Sequence, residues 1–170
     1  MVQKLAYIIL FVNIFEAVFF DFIDADYFNA ILGAGVMLSL KRPSAFIINE
    51  DSKYRDLEYD ISFAWMLAYC FWNCSFVYNF DGGVALPTAF LHLGLPLIVS
   101  FFHPKLFIQN RIYFLLFTVA YFAIIPPQNL YFKSSIYVPW IAHTLTIIGF
   151  IFLVLDIFGR YKKREVVIHT

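Results

Sequence analysis

Charge is what this sequence has least of. Only 14% of its 170 residues are Asp, Glu, Lys or Arg, against roughly 25% in an average soluble domain. Hydrophobic residues make up 62% and the mean hydropathy is +0.75, so a soluble domain would have nothing to cover its surface with. That excludes an ordinary soluble fold and leaves the membrane class. Cysteine is nearly absent too. Cys70 and Cys74 lie four apart in one apolar stretch, a spacing with poor geometry for a disulfide within a helix, and they read as free thiols packing as small hydrophobes. Metal ligation with a histidine from another helix is the minor alternative, and no metal or cofactor is expected. Enzyme motifs are missing: there is no H-E-x-x-H, no G-x-S-x-G and no P-loop, and Ser62 and Ser75 have no base at a recognisable spacing. The basic residues are scattered, so nucleic acid is excluded as a partner. No linker or low-complexity run interrupts the chain, and residues 1–170 read as one transmembrane domain.

What is present is a series of apolar runs. The central one, D-I-S-F-A-W-M-L-A-Y-C-F-W-N-C-S-F-V-Y-N, covers 60–79. At 1.5 Å per residue it spans the ~30 Å slab of a bilayer. Trp65, Tyr69, Trp72, Phe76 and Asn79 fall on one stripe at helical spacing, with Asn73 beside it. Lipid offers an amide no partner, so this face should look at protein or a cavity. Further spans are expected at 5–22, 26–41, 84–102, 111–126 and 138–158, giving an all-α polytopic bundle of about six transmembrane helices. The second is short and carries Gly33 and Gly35; it either crosses with close packing at the glycines or forms a re-entrant hairpin. Asp24 or Asp26 is placed to cap it. Pro43 should stop it. The polar stretch 41–59 reads as a loop on the membrane surface, Asp81-Gly82-Gly83 as a turn, and Tyr131, Phe132, Tyr137 and Trp140 as an interfacial aromatic belt. Arg160, Lys162, Lys163 and Arg164 should end the last span.

Charge also orients the bundle. With six spans, eleven of the twelve Lys and Arg residues fall on one side and only Lys133 on the other. By the positive-inside rule both termini are cytoplasmic, in an inner (plasma) membrane. Helical rise then puts Asn13 and Glu16 ~12–17 Å from the cytoplasmic face. Asn73, His92 and His143 can reach a similar or slightly more outward depth. An ionisable group inside a membrane is a functional suspect by default. Glu16 is open to three fates: a neutral acid, a partner of His92 or His143, or the wall of a water-filled vestibule. The structural alternative is a network of hydrogen bonds that holds helices together, at ~0.6–2 kcal/mol per contact.

Three segments carry a resemblance: V-N-I-F-E-A-V-F-F-D (12–21), A-Y-C-F-W-N-C-S-F-V-Y-N (68–79) and Q-N-R-I-Y-F-L-L-F-T (109–118). They resemble a bacterial family of multi-pass membrane proteins defined as a domain of unknown function. That resemblance implies a first motif with Asn and Glu three apart and a second of the form W-N-x-x-x-V-Y-N, which places its marked positions at Asn13, Glu16, Trp72, Asn73, Tyr78 and Asn79. It implies no activity. P-Q-N-L-Y-F-K-S (127–134) is similar to the PQ-loop solute carriers, although here it follows a fifth span and the two halves of the chain show no similarity. The combined expectation is a small-solute carrier or receptor, with a pocket opening outward among Glu16, Asn73, Trp72, His92 and His143. The alternatives are a non-transporting subunit of a membrane complex, working as a homo-oligomer or with a partner subunit, and an intramembrane enzyme.

Overall fold

A computed structural model describes residues 2–79, 90–124 and 137–168 of the chain. The chain is overwhelmingly helical. Helix α1 covers Val2–Ile23 and α2 covers Tyr27–Leu38. A two-stranded hairpin follows, β1 (Phe46–Ile48) against β2 (Leu57–Tyr59), then α3 (Phe63–Asn79). A π-helical turn at Phe90–Gly94 leads into α4 (Leu95–Ser100); α5 covers Phe107–Ile124 and α6 Pro139–Ile168. The π turn has a local cause: Pro96 has no N–H to bond the carbonyl of His92, and its ring crowds that carbonyl, so the helix widens just before it.

Helix α2 sits at the centre, against α1, α3 and α6, and α3 packs along α6. Gly33 makes this possible. A Cβ there would lie 2.4 Å from the indole Nε1 of Trp72 and 2.6 Å from Val18, so only glycine lets α1, α2 and α3 meet at that level. The expectation of close packing at this glycine holds. Asp26 caps α2 by accepting from the Asn29 N–H at 3.2 Å, and Ala25, at φ 61°, reverses the chain between α1 and α2.

Several expectations are corrected. The 41–59 stretch is not an irregular loop: Phe46 pairs with Tyr59 in the hairpin and both rings are fully buried, stacked at 4.1 Å under Trp65. Helix α2 stops at Leu38, well before Pro43, and is only 12 residues long. Helix α6 itself continues through its basic cluster to Ile168, because Lys and Arg are good helix formers, while its membrane-length apolar part reaches no further than Lys162, inside the cluster expected to end the span. Helix α5 begins at Phe107, four residues before the expected span, so Arg111 lies in its second turn. The Asp81-Gly82-Gly83 turn, the start of the fourth span, Lys133, Tyr131, Phe132 and the P-Q-N-L-Y-F-K-S motif all lie outside the described residues.

Among the described residues two helices, α1 and the Pro139–Lys162 part of α6, are long and apolar enough to cross a membrane. Their outward faces are apolar: Phe15, Phe19 and Phe22 on α1, and Ile147, Ile151, Val154 and Phe158 on α6, are all exposed.

Candidate functional site

Helix α1 buries Leu10, Ile14, Ala17 and Asp21, a stripe with steps of four, three and four. Because the helix runs to Ile23, Asp21 stays on this stripe and enters the bundle, at 3% exposure. Two side chains donate to its Oδ2: the Asn29 amide of α2 at 2.9 Å and the Trp72 indole of α3 at 3.2 Å. The Asn29 amide also reaches the Trp72 carbonyl at 3.3 Å, while its Oδ1 accepts from the Thr146 hydroxyl of α6 at 3.0 Å. Thr146 Oγ1 lies 3.0 Å from Ser75 Oγ, which in turn reaches the Ala142 carbonyl at 3.1 Å. One continuous polar chain therefore ties α1, α2, α3 and α6 together. Every member is buried, and buried polar groups of this kind are stable only when partnered.

Above this chain opens a cleft of about 360 Å³, lined by Asp21, Asp24, Ala25, Asp26, Phe76, Asn79, Tyr137, Pro139 and His143. Both donors to Asp21 converge on Oδ2, and Asp21 itself is part of the cleft wall. Asn79 closes one wall. It donates to the Asp26 carboxylate and accepts from the Tyr137 hydroxyl at 2.9 Å. Tyr78 stacks on Tyr137 at 5.5 Å, and its hydroxyl accepts from the Val138 N–H at 3.0 Å. These two residues thus pin the start of α6 to the end of α3 and set the width of the cleft.

The eight residues expected at a site part into three groups. Trp72, Tyr78 and Asn79 build the cleft or its floor, and His143, exposed, lines it. Asn13, Asn73 and His92 belong elsewhere, around Arg111. Asn13 Oδ1 accepts from Arg111 Nη1 at 3.2 Å, and the guanidinium lies over the Tyr69 ring at 4.9 Å. Asn73 approaches the Tyr69 hydroxyl without good hydrogen-bond geometry, and His92 lies within electrostatic reach of the same guanidinium. Glu16 joins neither group. It is exposed on α1, off the stripe that packs, so the expected meeting of Glu16 with Trp72 and Asn73 does not occur.

Asp21 and Arg111 are the residues that sequence reasoning missed. The signal for Asp21 was available: it stands four residues after Ala17 on the buried stripe, inside the expected 5–22 span, where Glu16 was the acid singled out. Arg111 had no local signal, because its partners come from α1 and α3. No family model, curated protein or solved structure matches this chain.

Proposed function

We propose that the chain is a multi-pass protein of an inner (plasma) membrane, with both termini cytoplasmic, whose outward acidic cleft takes a small organic cation, as a carrier or receptor. The membrane placement is supported by the apolar outward faces of α1 and α6, which exceed what a soluble surface tolerates, and by the one-sided distribution of Lys and Arg. The observation that carries the ligand class is Asp21: a carboxylate with one oxygen held by Asn29 and Trp72, on the wall of a cleft of ligand size. Asp24 and Asp26 add negative charge, and Phe76 and Tyr137 supply aromatic surface, a combination suited to an ammonium group. Purified protein in neutral detergent, titrated calorimetrically with a panel of primary and quaternary amines, tests this. Binding by wild type that falls at least tenfold in Asp21→Asn, and less in Asp24→Asn at the exposed rim, is expected. No binding of any amine, or equal binding by Asp21→Asn, rejects the cleft as a cation site.

A second reading rests on the polar chain itself. Asn29, Thr146 and Ser75 bond one another across three helices with no group left over for a ligand, which fits a non-transporting subunit whose polar residues lock helices. On that reading Asn29→Ala lowers the melting temperature or releases a partner polypeptide, and no amine affinity exists to be lost.

A further inference from the structure

The groove between α1 and α5 has a different chemistry from the cleft. Its volume is about 270 Å³, and its walls include Leu5, Ile9, Ile112 and Leu115, with Asn13 and Arg111 as its polar members. Arg111 is short of partners. Asn13 takes one of its N–H groups and Tyr69 covers one face, yet Nε is buried without a hydrogen bond, and no carboxylate among the described residues pairs with it. A guanidinium does not discharge itself by losing a proton, so its charge calls for an anion. Two more atoms near it lack partners, the Tyr69 hydroxyl and His92 Nε2, both buried. Of these three residues Arg111 alone lines the groove, so a partner for its charge can reach it from there.

We infer that Arg111 and the α1–α5 groove hold an anionic phospholipid of the bilayer, its phosphate on the guanidinium and one acyl chain along the groove. Charge complementarity selects the headgroup, since phosphate matches the planar fork of arginine. The walls select the source. Leu5, Ile9 and Ile112 are exposed on the outside of the bundle, where bilayer lipid is the solvent at saturating concentration. Position agrees: Gln109, two residues before Arg111, bonds Asp56 and the Leu57 N–H of the polar hairpin, so Arg111 sits about one turn from a polar boundary that a long side chain can reach.

The inference rests on the membrane reading, and the test separates the two. Protein reconstituted in phosphatidylcholine vesicles is probed with spin-labelled phosphatidylglycerol and spin-labelled phosphatidylcholine, and the motionally restricted fraction of each is measured. A several-fold preference for phosphatidylglycerol is expected, lost in Arg111→Gln, retained in Arg111→Lys, and reduced in Ile112→Trp, which narrows the groove and leaves the guanidinium in place. Equal restriction of both lipids, or a preference that survives Arg111→Gln, overturns the inference while leaving the membrane reading intact. Displacement by oleate without any effect of phosphatidylglycerol overturns it in favour of a free fatty acid. A chain that stays in the aqueous phase without detergent overturns both.

Discussion

The two ends of the bundle are held shut by different means. At the hairpin end, Phe46, Tyr59, Trp65 and Tyr69 form a continuous run of rings with centroids 4.1, 6.3 and 5.4 Å apart, all fully buried. Beside them Asp156 accepts from the Ser62 hydroxyl and pairs with Arg160 at 2.6 Å, and Arg160 donates to the Ser39 carbonyl at 2.6 Å. At the acidic end the contacts are hydrogen bonds around Asp21, Asp26 and Asn79, and a cleft remains between them. Ring packing removes space, whereas hydrogen bonds only fix distances. That difference explains why one end is filled and the other keeps a cleft.

The largest expected effect comes from opening the filled end. Trp65→Ala should cost about 3–5 kcal/mol, seen as a large fall in melting temperature in detergent and as protease cleavage at Lys53 or Arg55 of the freed hairpin. Asp156→Ala should follow, at about 3 kcal/mol, since it leaves the half-buried Arg160 without its counter-charge. Gly33→Ala comes next at about 1–3 kcal/mol, because the added methyl must displace the Trp72 indole. It should also loosen the floor of the cleft, so tryptophan fluorescence should change with stability. If Gly33→Ala disturbs the hairpin end as much as the acidic end, the two are one cooperative unit and the contrast between them dissolves.

The smallest effect concerns Asp56 in the hairpin. The Ser52 hydroxyl, and then the Gln109 amide, hold its carboxyl below the usual carboxylate value. A pKa depressed by folding stabilises the native state above the unfolded value of about 3.9, and that contribution is lost as the pH falls through the lower folded value. Melting temperatures measured from pH 6 down to pH 3 should therefore show a small acid-side loss that Asp56→Asn removes. At the other extreme of pH, burial pushes the Tyr59 phenol up, so it stays neutral under ordinary conditions and its hydroxyl can donate to the Lys41 carbonyl at 3.2 Å.

Much of the helix layout was legible because its causes are local. Asp26 before an apolar run signalled a cap, and the alternation of apolar stretches with charged breaks located most of the helices. The hairpin was not legible: Phe46-Ile47-Ile48 and Leu57-Glu58-Tyr59 are too short to show a strand period, and only their pairing reveals it. The aromatic stripe of α3 was read as facing protein, and Trp65, Tyr69 and Trp72 are indeed fully buried. Which acid meets that stripe was misread. Glu16 stands in the middle of an apolar run and drew attention; Asp21 stands at its edge and did not.

Composition and local pattern alone determined that this chain is helical and that its apolar surface is in excess, since both follow from which side chains occur and how they are spaced. Burial of Asp21, exposure of Glu16 and isolation of Arg111 were decided only by the tertiary structure. Each depends on partners far along the chain, 51 residues for Asp21 and Trp72, 98 for Asn13 and Arg111, and 117 for Asn29 and Thr146. A carboxylate carries no mark of whether a partner will reach it; packing alone supplies the partner, or withholds it.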